Sequence, residues 1–240
     1  MSQSGSEVLY RHGDCTMRGY LVRPVGSADP GRAVLVFPDG LGLGKPARAR
    51  AQMLADLGYV VFVADSYGEG RLARDIAEGH ALSGALLVDV DELRGRAAAA
   101  LSALVSQPGV DVDAIAAIGY CFGGTCALEL ARSGAHLSAL VSFHGALATK
   151  RPATALSNRP EYLVCTGSAD PLVPLDQVRD FAREMDDADC RWRMELYGGV
   201  KHNFTNPDTD ALGRPGLAYD AIADRRSWQA MRELFAETIG

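Results

Sequence analysis

The sequence predicts an α/β fold with a mostly parallel central sheet and helices on both faces. Short apolar runs alternate with segments of helical spacing along most of the 240 residues, which is typical of such sheets. Residues 33–37 and 59–64 are apolar throughout, as expected for strands buried on both faces. A sharp, glycine-flanked turn at Cys121 joins another apolar run directly to a helix.

The elements can be assigned in chain order. A hairpin opens the chain, with its turn at His12-Gly13-Asp14, and a loop rich in Pro, Gly, Ser and Asp covers residues 24–31. Gly58 ends the first helix, and Pro108-Gly109 end a long helix rich in Ala and Leu. The predicted strands are residues 7–9, 17–23, 33–37, 59–64, 114–119, 137–142, 161–166 and 191–197, and the predicted helices are residues 47–57, 88–106, 121–133, 175–185 and 219–238.

Two stretches interrupt this alternation. Residues 65–87 are glycine-rich and charged, and residues 201–214 are loop-like. Both follow strands, so both are expected at the carboxyl ends of the strands, where open α/β sheets bind ligands. The chain contains no internal repeat, low-complexity segment or dividing linker, which predicts one domain over residues 1–240.

The composition argues against several classes of partner. The net charge of −6 disfavours nucleic acid or an anionic membrane. No apolar run approaches membrane-spanning length, and the amino end lacks the plan of a secretory signal. Five Cys without CxxC spacing indicate reduced thiols in a cytoplasmic protein, and their spacing matches no metal site. We expect a monomer or a small homo-oligomer.

A nucleophile elbow is indicated by the run Gly-Tyr-Cys-Phe-Gly-Gly at residues 119–124, with Cys in place of the commoner Ser. Glycine is expected at Gly119 and Gly123 because side chains there would collide with the neighbouring strand and helix. The apex residue is expected to be strained and to lie at a helix N-terminus, which favours a thiolate. Cys121 is therefore the candidate nucleophile; the alternative is a small buried Cys at an ordinary turn.

The partners of such a nucleophile follow in the order acid, then histidine. Asp170 lies in the polar turn after residues 161–166, and His202 lies in a glycine-preceded loop after residues 191–197. We expect His202 to act as base and then acid, and Asp170 to hold its tautomer. The alternatives are an Asp that only shapes its turn and a solvent-exposed loop His.

A tetrahedral oxyanion needs two N–H donors. The elbow supplies the backbone N–H of Phe122, and the loop after residues 33–37 supplies the second, for which Gly40 is the candidate and Leu41 the fallback. Asp39 in the same loop is expected near the thiol, where it could accept the proton or hold one rotamer. The alternative is a solvated loop acid.

These motifs resemble the dienelactone hydrolase family, within the α/β-hydrolase superfamily. The resemblance extends from about Tyr20 onward and rests on residues 37–40, 64–68, 119–124, 167–171 and 201–204. It implies an α/β-hydrolase fold and cysteine-dependent hydrolysis of a small-molecule ester or lactone, without metal or cofactor. In the family an acidic loop residue interacts with the thiol before substrate arrives; here that position holds Asp39, which is shorter than the usual Glu.

The resemblance also suggests how a substrate is held. Dienelactone hydrolases use arginines to bind the carboxylate of their substrate, and this chain offers Arg71, Arg74 and Arg214 in the two interrupting stretches. Tyr67 and His144 each follow a strand and should point into the site. Either could contact the substrate or be a structural residue, and His144 could instead contact the Asp39 loop.

The leading interpretation is a cofactor-free hydrolase that works through a thioester acyl-enzyme. One alternative is an acyl-transfer or C–C bond-cleaving enzyme on the same scaffold. Another is a non-catalytic ligand-binding or redox-sensing protein, which needs neither Asp170 nor His202.

Overall fold

The computed structural model describes residues 5–26, 31–157 and 159–240; part of the predicted loop 24–31 and residue 158 lie outside them. Within the described residues lie eight strands and six α-helices. The strands are β1 Ser6–His12, β2 Cys15–Val22, β3 Gly31–Phe37, β4 Val60–Val63, β5 Val110–Tyr120, β6 Ala139–Phe143, β7 Glu161–Gly167 and β8 Trp192–Tyr197. The helices are α1 Lys45–Asp56, α2 Ile76–Val88, α3 Val90–Val105, α4 Phe122–Arg132, α5 Leu175–Asp187 and α6 Ala221–Thr238.

All eight strands join one sheet in the order β1-β2-β4-β3-β5-β6-β7-β8. The hairpin strands β1 and β2 are antiparallel, β2 is antiparallel to β4, and the other pairs are parallel. Parallel strands end at a common edge, so the loops that follow β3, β5, β7 and β8 meet there. This confirms the predicted α/β-hydrolase fold with its mostly parallel sheet.

Alternate residues of the central strands face two separate cores. Leu35 packs on the side of α3, α4 and α5, whereas Val34 and Val36 pack on the side of α1 and α6. All three side chains are fully buried, which accounts for apolar runs without alternation. No helix in the described ranges is long and apolar enough to cross a membrane.

Residues 65–87, which interrupt the predicted alternation and were assigned no helix, contain α2 in their second half. Asp75 caps this helix by accepting from the Glu78 N–H at 2.8 Å. Gly79 and Gly84 lower its helical propensity and obscure it in the sequence. Gly79 has a packing reason, because a Cβ there would lie 2.7 Å from the Gly40 carbonyl oxygen. The loop over residues 201–214 likewise contains a 3₁₀ helix, Pro207–Leu212.

Candidate active site

The turn between β5 and α4 holds Cys121 in a strained conformation, with φ 52° and ψ −119°. A Cβ at Gly119 would overlap the carbonyl of Gly123, and one at Gly123 would overlap the carbonyls of Phe37 and Pro38. Both glycines are thus required by close backbone contact, as the sequence predicts. The contact also brings the loop after β3 against the elbow.

Cys121, His202 and Asp170 form one hydrogen-bonded line. The His202 Nε2 lies 3.1 Å from the Cys121 Sγ, and the His202 Nδ1 donates to the Asp170 Oδ2 at 2.7 Å. Asp170 and His202 are buried, whereas Cys121 is half-buried. The second Asp170 oxygen accepts from the Leu172 N–H at 2.8 Å, so both carboxylate oxygens have partners.

Backbone contacts join the loops that carry Asp170 and His202. The Ala169 N–H donates to the Val200 carbonyl at 3.0 Å, and a Cβ at Gly167 would overlap that same carbonyl. On its other side, His202 exchanges backbone bonds with Gly216 and Ala218 at 3.0 and 3.2 Å. The His202 imidazole is therefore fixed from two directions relative to Asp170.

The surroundings of His202 favour its protonated form. Burial lowers its pKa, but the hydrogen bonds from Asp170 and Cys121, together with their negative charges, outweigh burial and raise the pKa to about 10. A protonated imidazole 3.1 Å from the sulfur stabilises negative charge there. The geometry therefore allows a proton to pass between the Cys121 sulfur and His202.

Two backbone N–H groups near the elbow are available to an oxyanion. Those of Phe122 and Gly40 have no acceptor among the described residues. The N–H of the fallback, Leu41, already donates to the Asp39 Oδ1 at 2.9 Å. Gly40 thus remains the candidate for the second donor.

Tyr67 connects the two candidate donors. Its hydroxyl donates to the Gly40 carbonyl at 2.9 Å, and its ring stacks on Phe122 with centroids 5.8 Å apart. Burial, followed by nearby thiol and carboxyl groups, raises the pKa of Tyr67, so the hydroxyl stays a donor. Tyr67 thus supports the loop that carries Gly40, a position that the sequence did not reveal.

Asp39 makes no hydrogen bond to Cys121 in the described structure; its carboxylate closes a tight turn on the Leu41 N–H. Burial raises the pKa of Asp39, while the Leu41 N–H and the positive charge of His202 oppose the rise. The carboxylate is thus within electrostatic reach of the Cys121–His202 pair. Its influence on the thiol remains a prediction.

The burial of His144 favours the structural role over the substrate contact, two of the roles that the sequence left open. The side chain is fully buried; its Nδ1 accepts from the Cys121 N–H at 3.1 Å, and its Nε2 donates to the Thr205 Oγ1 at 2.8 Å. Burial, followed by the charges of His202 and Arg50, holds the pKa of His144 well below its usual range. His144 is thus a neutral support beneath the elbow, and Thr205 is its unpredicted partner.

Two of the arginines that the sequence suggested for binding a substrate carboxylate already form ion pairs. Arg71 and Arg74 each bind Glu78 at 2.8 Å, and Arg74 is 85% exposed. Glu78 lies in the first turn of α2, after the cap residue Asp75. The pairing of the two arginines therefore depends on a helix that the sequence did not predict. Arg214 is also exposed.

The sheet order and the helices on both faces define a protein of the α/β-hydrolase class. The family model described as the dienelactone hydrolase family matches residues 17–239, and the chain belongs to that family. It is therefore a hydrolase that acts on ester or lactone bonds, which confirms the resemblance stated from the sequence.

Similar proteins agree with this assignment. A solved structure named m3DLH is 41% identical, with a TM-score of 0.93 and full coverage of both chains. The dienelactone hydrolase-like promiscuous phosphotriesterase P91, from metagenomic libraries, is 40% identical, with a TM-score of 0.92 over 98% of each chain. A probable 2-oxo-3-(5-oxofuran-2-ylidene)propanoate lactonase of Bradyrhizobium sp is 27% identical over 87% of this chain and 84% of its own length.

Proposed function

We propose that this chain hydrolyses small carboxylic esters or lactones through a thioester on Cys121. The observation that carries the proposal is the continuous line from Asp170 through His202 to Cys121, with contacts of 2.7 and 3.1 Å at a strained elbow. A nucleophile, its base and the group that orients the base are thus in mutual contact.

The chemistry follows from this geometry. The Cys121 sulfur attacks the substrate carbonyl, and the negative charge on the carbonyl oxygen is bound by the N–H groups of Phe122 and Gly40. His202 gives its proton to the departing alkoxide, which leaves a thioester and a neutral imidazole. His202 then takes a proton from water, the hydroxide attacks the thioester, and the sulfur leaves as the carboxylic acid forms. Asp170 holds the His202 tautomer in both steps.

The test compares Cys121→Ala with Cys15→Ala, because Cys15 is the other half-buried thiol among the described residues. We expect Cys121→Ala to lose hydrolysis of p-nitrophenyl acetate and to keep its circular dichroism spectrum. Quenched wild type should carry an acetyl group on Cys121 by mass spectrometry, and Cys15→Ala should behave like wild type. Retained activity in folded Cys121→Ala would disprove the proposal.

Cleavage of phosphotriesters is a second candidate activity. It is favoured by the 40% identity to P91 over nearly the whole chain, since a sulfur nucleophile can also attack an electrophilic phosphorus. Paraoxon tests it: we expect turnover that Cys121→Ala abolishes. Paraoxon hydrolysis at the buffer rate, alongside active ester hydrolysis, would exclude this second activity.

A further inference from the structure

A cavity of about 380 Å³ lies beside the elbow, on the side of α1 and α6. Its volume is within the range of small-molecule sites. Cys121, His202 and Asp170 are not in its wall, but their sequence neighbours Tyr120 and Asn203 are.

The cavity is also linked to the nucleophile through its wall. Thr205 lies in the wall and accepts from the Nε2 of His144, whose Nδ1 accepts from the Cys121 N–H. Asp39, next to the candidate oxyanion donor Gly40, lies in the wall too. The part of an ester that does not react could therefore enter the cavity while its carbonyl stays at the elbow.

Most of the surface that the wall presents to the cavity is apolar, although charged side chains also line it. The residues that provide this apolar surface are Pro38, Pro46, Ala47, Ala49, Met53 and Pro207. Tyr120 adds a buried aromatic ring, and its hydroxyl has no hydrogen-bond partner among the described residues. Such a lining favours hydrocarbon over charged groups.

The charged groups of the wall disfavour an anion. The wall contains three carboxylates, Asp39, Asp208 and Asp224, against the two cations Lys45 and Arg50. Arg50 is already occupied, because its Nη2 donates to the Asp224 Oδ1 and to the Thr205 carbonyl, both at 2.7 Å. With Arg50 paired to Asp224, the wall leaves Asp39 and Asp208 against the exposed Lys45. A carboxylate on the substrate would therefore meet net negative charge here.

The arginines on the other side of the elbow are already paired, so neither is free to bind a substrate carboxylate. Arg71 and Arg74 share the single carboxylate of Glu78, so binding an anion there would compete with an existing ion pair. We infer that the cavity holds an uncharged, mainly apolar acyl or alkoxy group, and that the substrates of this chain are neutral esters or lactones. The inference rests on the proposed hydrolysis at Cys121.

The first measurement compares substrates on the wild type. Burial of added methylenes should raise kcat/KM for p-nitrophenyl hexanoate on the order of tenfold above that for the acetate. The monoadipate ester, which replaces the terminal methyl of the hexanoate by a carboxylate, should be at least tenfold poorer than the hexanoate. A comparison of kcat/KM for cyclohexyl acetate and ethyl acetate, with hydrolysis monitored by the release of acid, shows whether the alkoxy group enters the cavity instead. A preference for the monoadipate would overturn the inference.

The second measurement fills the cavity. Ala49 is exposed on α1 and lines the cavity, whereas Gln52 is on the same helix and does not. The ratio to be measured is kcat/KM for the bulky ester divided by kcat/KM for the small ester, for whichever pair above shows the preference: hexanoate and acetate, or cyclohexyl acetate and ethyl acetate. Ala49→Trp should lower this ratio at least tenfold, and Ala49→Leu should lower it less. Gln52→Trp should keep the wild-type ratio. An unchanged ratio in folded Ala49→Trp would overturn the inference.

Binding separates this inference from the proposed function. The inactive Cys121→Ala variant should still bind cyclohexyl acetate by calorimetry, and addition of Ala49→Trp should abolish that binding. If wild type hydrolyses p-nitrophenyl acetate but binding is unaffected by Ala49→Trp, the inference fails and the proposed function stands. If Cys121→Ala retains hydrolysis, the proposed function fails, while the binding result still decides the nature of the cavity.

Discussion

Replacement of Asp170 by Asn removes one negative charge and almost no volume. The Asp170 side chain is fully buried, and its two oxygens accept from His202 at 2.7 Å and from Leu172 at 2.8 Å. An amide has one acceptor oxygen, so in the variant either the His202 Nδ1–H or the Leu172 N–H faces an NH₂ group. The substitution should therefore change the orientation of His202 and reduce the stability of its positive charge.

The structure sets the size of the effect. Removing one partner from a buried ion pair costs about 3–5 kcal/mol, and about 1.36 kcal/mol corresponds to a factor of ten. If this free energy is lost from the state in which His202 is protonated, kcat should decrease about 10²- to 10⁴-fold. The effect of the same change in a serine triad lies within this range. Asp176→Asn is the control, because Asp176 is exposed and pairs only with Arg179 among the described residues.

The change also has a pH signature. The folded-state pKa of His202 is raised to about 10 from its usual 6.5, and the Asp170 hydrogen bond is the largest favourable contribution. A group with a raised folded pKa stabilises the fold fully below pH 6.5, and that stabilisation is lost as the pH rises through about 10. In Asp170→Asn the pKa of His202 is lower, so the melting temperature should depend less on pH between 6.5 and 10.

The assay combines kcat for p-nitrophenyl acetate with iodoacetamide labelling of Cys121 in a Cys15→Ala background. At pH 7, labelling should be slower in Asp170→Asn, because a neutral His202 stabilises the thiolate less. The reasoning is refuted if kcat per folded molecule and the labelling profile equal those of Asp176→Asn. Asp170 would then be a turn residue only.

Three further changes test other parts of the site. Cys121→Ser should reduce kcat by about 10²-fold or more, since a hydroxyl is harder to deprotonate than a thiol; equal activity would indicate a serine-type site. Asp39→Asn should move iodoacetamide labelling of Cys121 to lower pH and increase inactivation by peroxide, because a negative charge near the sulfur is removed; coincident profiles would leave Asp39 as a loop residue. Gly123→Ala should reduce the free energy of unfolding by about 1–3 kcal/mol in urea titrations, because the added Cβ overlaps the Phe37 carbonyl. Gly198→Ala, where a Cβ meets nothing within 4 Å, should have little effect, and equal losses in both would argue against this steric explanation.

The sequence by itself determined the sheet, the elbow and the order of Cys121, Asp170 and His202. These features depend on short-range information, namely apolar runs of strand length and glycines at a sharp turn. Parallel strands also end at one edge, so residues that follow different strands could be expected to meet there. The 2.7 and 3.1 Å contacts agree with that expectation.

Other parts of the site depended on the tertiary structure. Helix α2 carries two glycines, and Gly79 is explained only by its contact with Gly40. The direction of His144 depends on its positive φ of 43° and on Thr205, which is 61 residues away. The cavity wall joins α1 to residues more than 150 positions later. Local periodicity carries no information about which distant side chains will pack together, because that choice is made by the three-dimensional packing of the two cores.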